Sequence, residues 1–241
     1  MKKFANSVLF LSLTLAPLCA AAQTGPLENV LARTDSALAE AFLKASQTMP
    51  PFTVPPPVSI SGDNRASDTP AADYLPLNQR AVYEYEYTSS EFTGVKTVRV
   101  EYLEYSQAER SVKVNMIIFA ARSKPRVSNF VVTAGPAGIR SSDSPLSGPR
   151  LEIPFPLAYN QVWNEGSDRN RVAALNAKAA VPAGTFDGCL KITTKLGGGD
   201  SGAAERYYAP GVGLVYEQII SEDRQEAIRL TSYQLKYSGM N

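Results

Sequence analysis

From Tyr74 onward, apolar and polar positions alternate with a period of two. In AVYEYEYTSS (81–90), Tyr83, Tyr85 and Tyr87 fall on one side and Glu84, Glu86 and Thr88 on the other. VKTVRVEYLEY (95–105) sets Val98, Val100 and Tyr102 against Arg99, Glu101 and Leu103, and SVKVNMIIFAA (111–121) puts Val112, Val114, Met116 and Ile118 on one side. This alternation predicts strands with one wet and one buried face. Further strands read at 127–134, 171–181, 185–196, 204–209, 213–221 and 226–237, with turn-forming Gly, Pro, Ser and Asp between them. No strong helical pattern interrupts the series. The predicted class is mainly β, a single antiparallel and strongly curved sheet over 74–241, half-barrel or barrel-like.

The pattern upstream is different. PLENVLARTDSALAEAFLKAS (26–46) carries Leu27, Val30, Leu31, Leu38, Ala41 and Phe42 near helical spacing, with Pro26 suited to a first turn. One N-terminal amphipathic helix is therefore expected within 23–48. Residues 49–73 are rich in Pro, Ser and Asp without periodicity and read as a linker.

Lys2 and Lys3, a short apolar run from Val8 to Leu15, and Ala20-Ala21-Ala22 make residues 1–22 a secretory signal with cleavage after Ala22. Lipidation at Cys19 is the alternative; Leu18 stands where lipoprotein signals place a small residue. No other segment is apolar enough over sufficient length to span a bilayer. The expected destination is the periplasm or the exterior.

The chain holds 24 Lys and Arg against 23 Asp and Glu. Removing the signal takes away two lysines and leaves a net charge near −1, so nothing steers the protein to nucleic acid. Cys189 then stands alone, without an internal disulfide, in the strand-like FDGCLKITT. It reads as a small buried hydrophobe.

Three motifs suggest chemistry and fail on inspection. Gly199-Asp200-Ser201-Gly202 matches the nucleophile tetrapeptide of chymotrypsin-like proteases, but the chain has no histidine to take the serine proton. It reads as a hairpin loop, and Ser201→Ala is expected to change nothing. APGVGLV (209–215) stops short of a dinucleotide fingerprint and leads into a strand, so Pro210-Gly211 reads as a type II turn. Glu84 and Glu86 share a strand face at about 7 Å, near the carboxyl spacing of glycosidases. Arg99 and Lys113 are their expected cross-strand partners in a solvated ion-pair lattice. Neither a metal nor a cofactor is expected, and no catalytic residue is assigned.

The aromatic residues are the candidate site. Tyr83, Tyr85, Tyr87, Tyr102 and Trp163 are the expected ligand or partner face, with an ordinary core as the competing assignment. YLPLNQRAVYEYEY (74–87) and PFPLAYNQVWNEG (154–166) share Pro-Leu, then Gln, then Val with an aromatic, which hints at two related halves of about eighty residues.

VPAGTFDGCLKI (181–192) and YAPGVGLV (208–215) together resemble the TapB-like domains, a group of exported bacterial proteins of unknown function. The usual upstream PLxxGxxWxY is softened here to YLPLNQRAVY and FPLAYNQVW. The resemblance implies an exported antiparallel β domain without established catalytic residues. Three functions stay open. One is a non-catalytic envelope module binding an envelope protein or a surface polymer. The second is a carrier or sensor of an apolar small molecule in the curved sheet. The third is an enzyme using Asp/Glu chemistry.

Overall fold

The computed structural model describes residues 65–120, 123–198 and 202–237. They belong to the second of two units into which the chain divides, Pro57–Asn241. The signal segment with Cys19, the helix expected at 26–46, the linker as far as residue 64, and Gly199 to Ser201 lie outside the described residues.

Twelve strands follow one short turn of 3-10 helix at Ala71–Tyr74. They are β1 (Gln79–Ser89), β2 (Lys96–Ser106), β3 (Ser111–Phe119), β4 (Arg126–Gly135), β5 (Gly138–Ser141) and β6 (Arg150–Pro154), then β7 (Val162–Glu165), β8 (Asp168–Val181), β9 (Gly184–Leu196), β10 (Gly202–Ala209), β11 (Gly213–Ser221) and β12 (Gln225–Tyr237). All lie in one antiparallel sheet ordered β6-β5-β4-β3-β2-β1-β12-β11-β10-β9-β8-β7. Each strand except β6 pairs with its successor in the chain, and β1 pairs with β12. The ring is broken once, between β6 and β7. The sheet is nearly closed into a barrel and has a single seam. Two six-stranded meanders make it up, and the two Pro-Leu stretches each precede the first strand of one of them.

The period-two faces sort as expected. Tyr83, Tyr85, Val98, Val100, Val112, Val114 and Met116 are buried in one core. Outside, Glu84 pairs with Arg99 at 3.9 Å, Arg99 with Glu101 at 2.8 Å, and Glu86 with Arg229 at 2.5 Å. On β1 to β3 the charged side chains thus face outward and the apolar ones inward. Lys113 does not take the part expected of it: it lies on β3, one strand too far from β1, and faces Val131. Arg229 on β12 holds Glu86 instead.

Two local features shape the barrel. Pro210-Gly211 forms the expected type II turn, with Gly211 at φ +71° and Val212 N–H donating to the Ala209 carbonyl at 3.1 Å. The β8–β9 ladder shifts register three times along the Ala-rich run of β8. Such bulges bend a strand, and alanines leave room for the bend. The far end of that hairpin reaches β12, where Ala183 N–H donates to the Leu230 carbonyl at 2.9 Å and Phe186 meets Tyr233 at 6.2 Å. The last residues before β1 are anchored too. Tyr74 is buried and donates to the Leu175 carbonyl at 3.0 Å, and the Asp73 carbonyl accepts from Gly211 N–H at 2.8 Å.

Candidate functional site

The five aromatic residues singled out in the sequence do not form one face. Tyr83 and Tyr85 lie inside the barrel, only 2% and 3% exposed. Their hydroxyls donate to the carbonyls of Val212 at 2.7 Å and Leu214 at 2.9 Å. Tyr102 stands edge-on to Tyr83, with ring centroids 5.6 Å apart. Burial raises the pKa of all three phenols above the ordinary value. With Leu75, Phe130 and Tyr208, and with Arg150 and Glu152 at its polar end, they line a space of about 20 Å³, room for a single water molecule. Tyr87 sits apart, its hydroxyl donating to Glu226 and its ring against Phe92 at 5.1 Å. Trp163 belongs to a different place again, the seam.

At the seam a cleft of about 660 Å³ opens. Its walls include Arg140, Arg150 and Leu151 on the β5–β6 side and Trp163, Glu165 and Asp168 on the β7–β8 side. Asn170, Thr194, Arg206 and Glu217 form its inner wall. One side chain closes the gap that backbone pairing leaves. The Glu165 carboxylate accepts from the Leu151 amide at 2.8 and 3.0 Å and from Arg140 at 2.7 Å. A carboxylate thus stands where a neighbouring strand would have supplied a carbonyl.

Behind the cleft lies a buried charge cluster. Arg150 on β6 donates from Nε to Glu152 at 2.9 Å and grips Glu217 on β11 with Nη1 and Nη2, the second at 3.0 Å. This clamp crosses the interior and ties the β6 edge to the opposite half. Arg206 on β10 stands 3.6 Å from Glu152 and donates to Asn170 at 3.3 Å. Tyr208 donates to Glu152, and Thr194 to Asn170 at 2.6 Å. Two guanidiniums and two carboxylates balance. Burial alone would raise the Glu152 pKa. Arg150 and then Arg206 oppose it, with hydrogen bonds from Arg150 and Tyr208, and the carboxyl is held below its ordinary value of 4.5. For Arg150, burial favours the neutral form, but Glu152 and Glu217 outweigh it and hold the guanidinium charged.

Two groups in this region have spare donors. Trp163 Nε1 and Arg206 Nε are buried without a hydrogen-bond partner among the described residues, and Arg206 Nη1 has only the longer ion pair to Glu152. Elsewhere, burial pushes the Cys189 thiol up to about 12. Among the described residues no three or more Cys, Asp or Glu side chains gather in a way that could hold a metal ion.

Of the residues that build the cleft, sequence reasoning singled out only Trp163. Its missed signal was charge inside strands. Glu217 interrupts the apolar run LVYEQII, and Arg150 and Glu152 occupy one face of RLEIP.

No protein-family model matches the chain, and no curated protein matches it in sequence. The TapB-like resemblance gains no support from them. Solved structures do share its shape. A lipoprotein candidate from Parabacteroides distasonis aligns over 70% of this chain and 100% of its own, with a TM-score of 0.50 and 15% identity. An exported-protein candidate with a YmcC-like fold from Bacteroides fragilis covers 64% of this chain and 95% of its own, at a TM-score of 0.45 and 11% identity. The MucA/MucB complex from Pseudomonas aeruginosa gives a TM-score of 0.36 and 11% identity over 71% of this chain and 59% of that one. At these identities the first likeness speaks for the fold alone, and the other two are looser.

Proposed function

We propose that the protein is an exported, non-catalytic binding module of the cell envelope that takes a segment of a polar surface polymer into the seam cleft. The observation that carries this reading is where the room lies. About 660 Å³ opens among charged and amide side chains at the seam, against about 20 Å³ among the tyrosines. A drug-sized apolar ligand needs a cavity of roughly 300 Å³ or more, so the space among the tyrosines is too small to hold one. Two features support a non-catalytic role. The cleft carboxylates are committed to arginines or backbone amides, and the thiol of Cys189, the one cysteine among the described residues, is pushed far from the pKa that makes a nucleophile. Export rests on the N-terminal signal pattern of residues 1–22.

Trp163 is the sole tryptophan of the chain, so intrinsic fluorescence reports on the cleft. The test is a titration of the mature protein with soluble peptidoglycan fragments and with deacylated lipopolysaccharide chains. Phospholipid vesicles run as the contrasting arm. A saturable change in Trp163 emission with a polysaccharide is the expected result. A response to lipid alone would replace this reading with the apolar carrier.

A further inference from the structure

Resting on the reading above, we infer that the segment bound in the seam cleft is a neutral oligosaccharide, held through its own hydroxyl and amide oxygens as acceptors. The hydrogen-bonding capacity left over at the cleft decides the chemistry. Its carboxylates are engaged: Glu165 with Arg140 and the Leu151 amide, Asp168 with the Gly197 amide, Glu217 with Arg150. Asn170 Oδ1 already accepts from Thr194 and Arg206. Among the cleft's buried side-chain atoms, those left without a partner are donors, Trp163 Nε1 and Arg206 Nε. Arg206 is 2% exposed, so solvent does not readily compensate it. A buried donor without a partner is costly, and the occupant that relieves it must bring oxygen acceptors.

Charge then separates a neutral occupant from an anionic one. Arg206 belongs to a cluster of two guanidiniums and two carboxylates that is already balanced. An added anion would leave one buried negative charge in excess, which desolvation penalises heavily. A sugar hydroxyl or acetamido carbonyl meets the same donors without that penalty. Trp163 adds an apolar ring beside its N–H, the pairing that suits a sugar's mixed surface.

The test is calorimetry on the mature chain with two probes of equal length, N-acetylated chitotetraose (neutral) and tetragalacturonate (acidic). The expected result is binding of chitotetraose at least about tenfold tighter, unchanged between about 0.05 and about 0.5 M salt. Arg206→Met should weaken it by about tenfold or more, as loss of a charged donor does. Trp163→Phe keeps a ring, removes only the N–H, and should weaken it several-fold; it carries the test if Arg206→Met does not fold. Preference for tetragalacturonate, with affinity falling as salt rises, overturns the inference and leaves the polymer-binding reading standing. Binding of neither tetrasaccharide also overturns it. The polymer-binding reading falls only if the polysaccharide titrations of Trp163 are flat as well.

Discussion

Cys189 shows how burial fixes the chemistry of a single side chain. Its pattern within FDGCLKITT marks it as a strand residue facing inward, and the structure leaves it fully buried with its thiol pushed up to about 12. The native protein should therefore resist a thiol reagent near neutral pH and react only after unfolding, a difference that absorbance with a chromogenic disulfide measures directly. Prompt reaction of the folded protein would contradict its placement. Two glycines test the backbone in the same spirit. Gly211 needs φ +71° but has nothing within 4 Å of a would-be Cβ, so Gly211→Ala should cost only the left-handed penalty of about 1–2 kcal/mol. Gly138, at φ +137°, would drive a Cβ into the Ile153 carbonyl. Gly138→Ala should cost clearly more in chemical denaturation, because backbone must move as well.

The long strands were legible in the sequence, and the short ones were not. The strand read at 213–221 coincides with Gly213–Ser221, and that at 226–237 begins one residue late. β5 and β6 went unread and β7 was marked only by Pro156 ahead of it, because four or five residues give too few alternations to stand out, and β6 is buried at every position. These three strands frame the seam, so the site was hidden along with them. Trp163 was visible as an aromatic. The Glu165 bridge was not, because it joins elements that the chain places at opposite ends of the sheet order. Glu165→Ala removes the acceptor for the Leu151 amide and for Arg140. The expected outcome is faster hydrogen exchange at Leu151 and its β6 neighbours, with a loss of roughly 1–3 kcal/mol in stability. Exchange at the β1–β12 ladder, on the far side of the ring, should be affected much less.

At the scale of the whole molecule, the barrel encloses a charge cluster that makes its stability depend on pH. Glu152 is held below its ordinary value of 4.5 in the folded protein. A group with a depressed folded pKa contributes stability that is complete above the unfolded value and is lost as pH falls through the folded one. Thermal stability should therefore decline on acidification below about pH 4.5, and Glu152→Gln, less stable at neutral pH, should show a shallower decline. The same cluster ties the β6 edge to the opposite meander and backs the cleft, so the stability of the barrel and the proposed binding share residues. The central claim is that ligand enters at the seam and not among the tyrosines. A two-dimensional ¹H–¹⁵N spectrum of the labelled protein, recorded with and without saturating N-acetylated chitotetraose, tests it most directly. The account predicts a shift of the single indole signal, that of Trp163, together with amides of β7 and of β10 around Arg206. Shifts confined to the amides around Tyr83, Tyr85 and Tyr102, with the Trp163 indole unmoved, would contradict it.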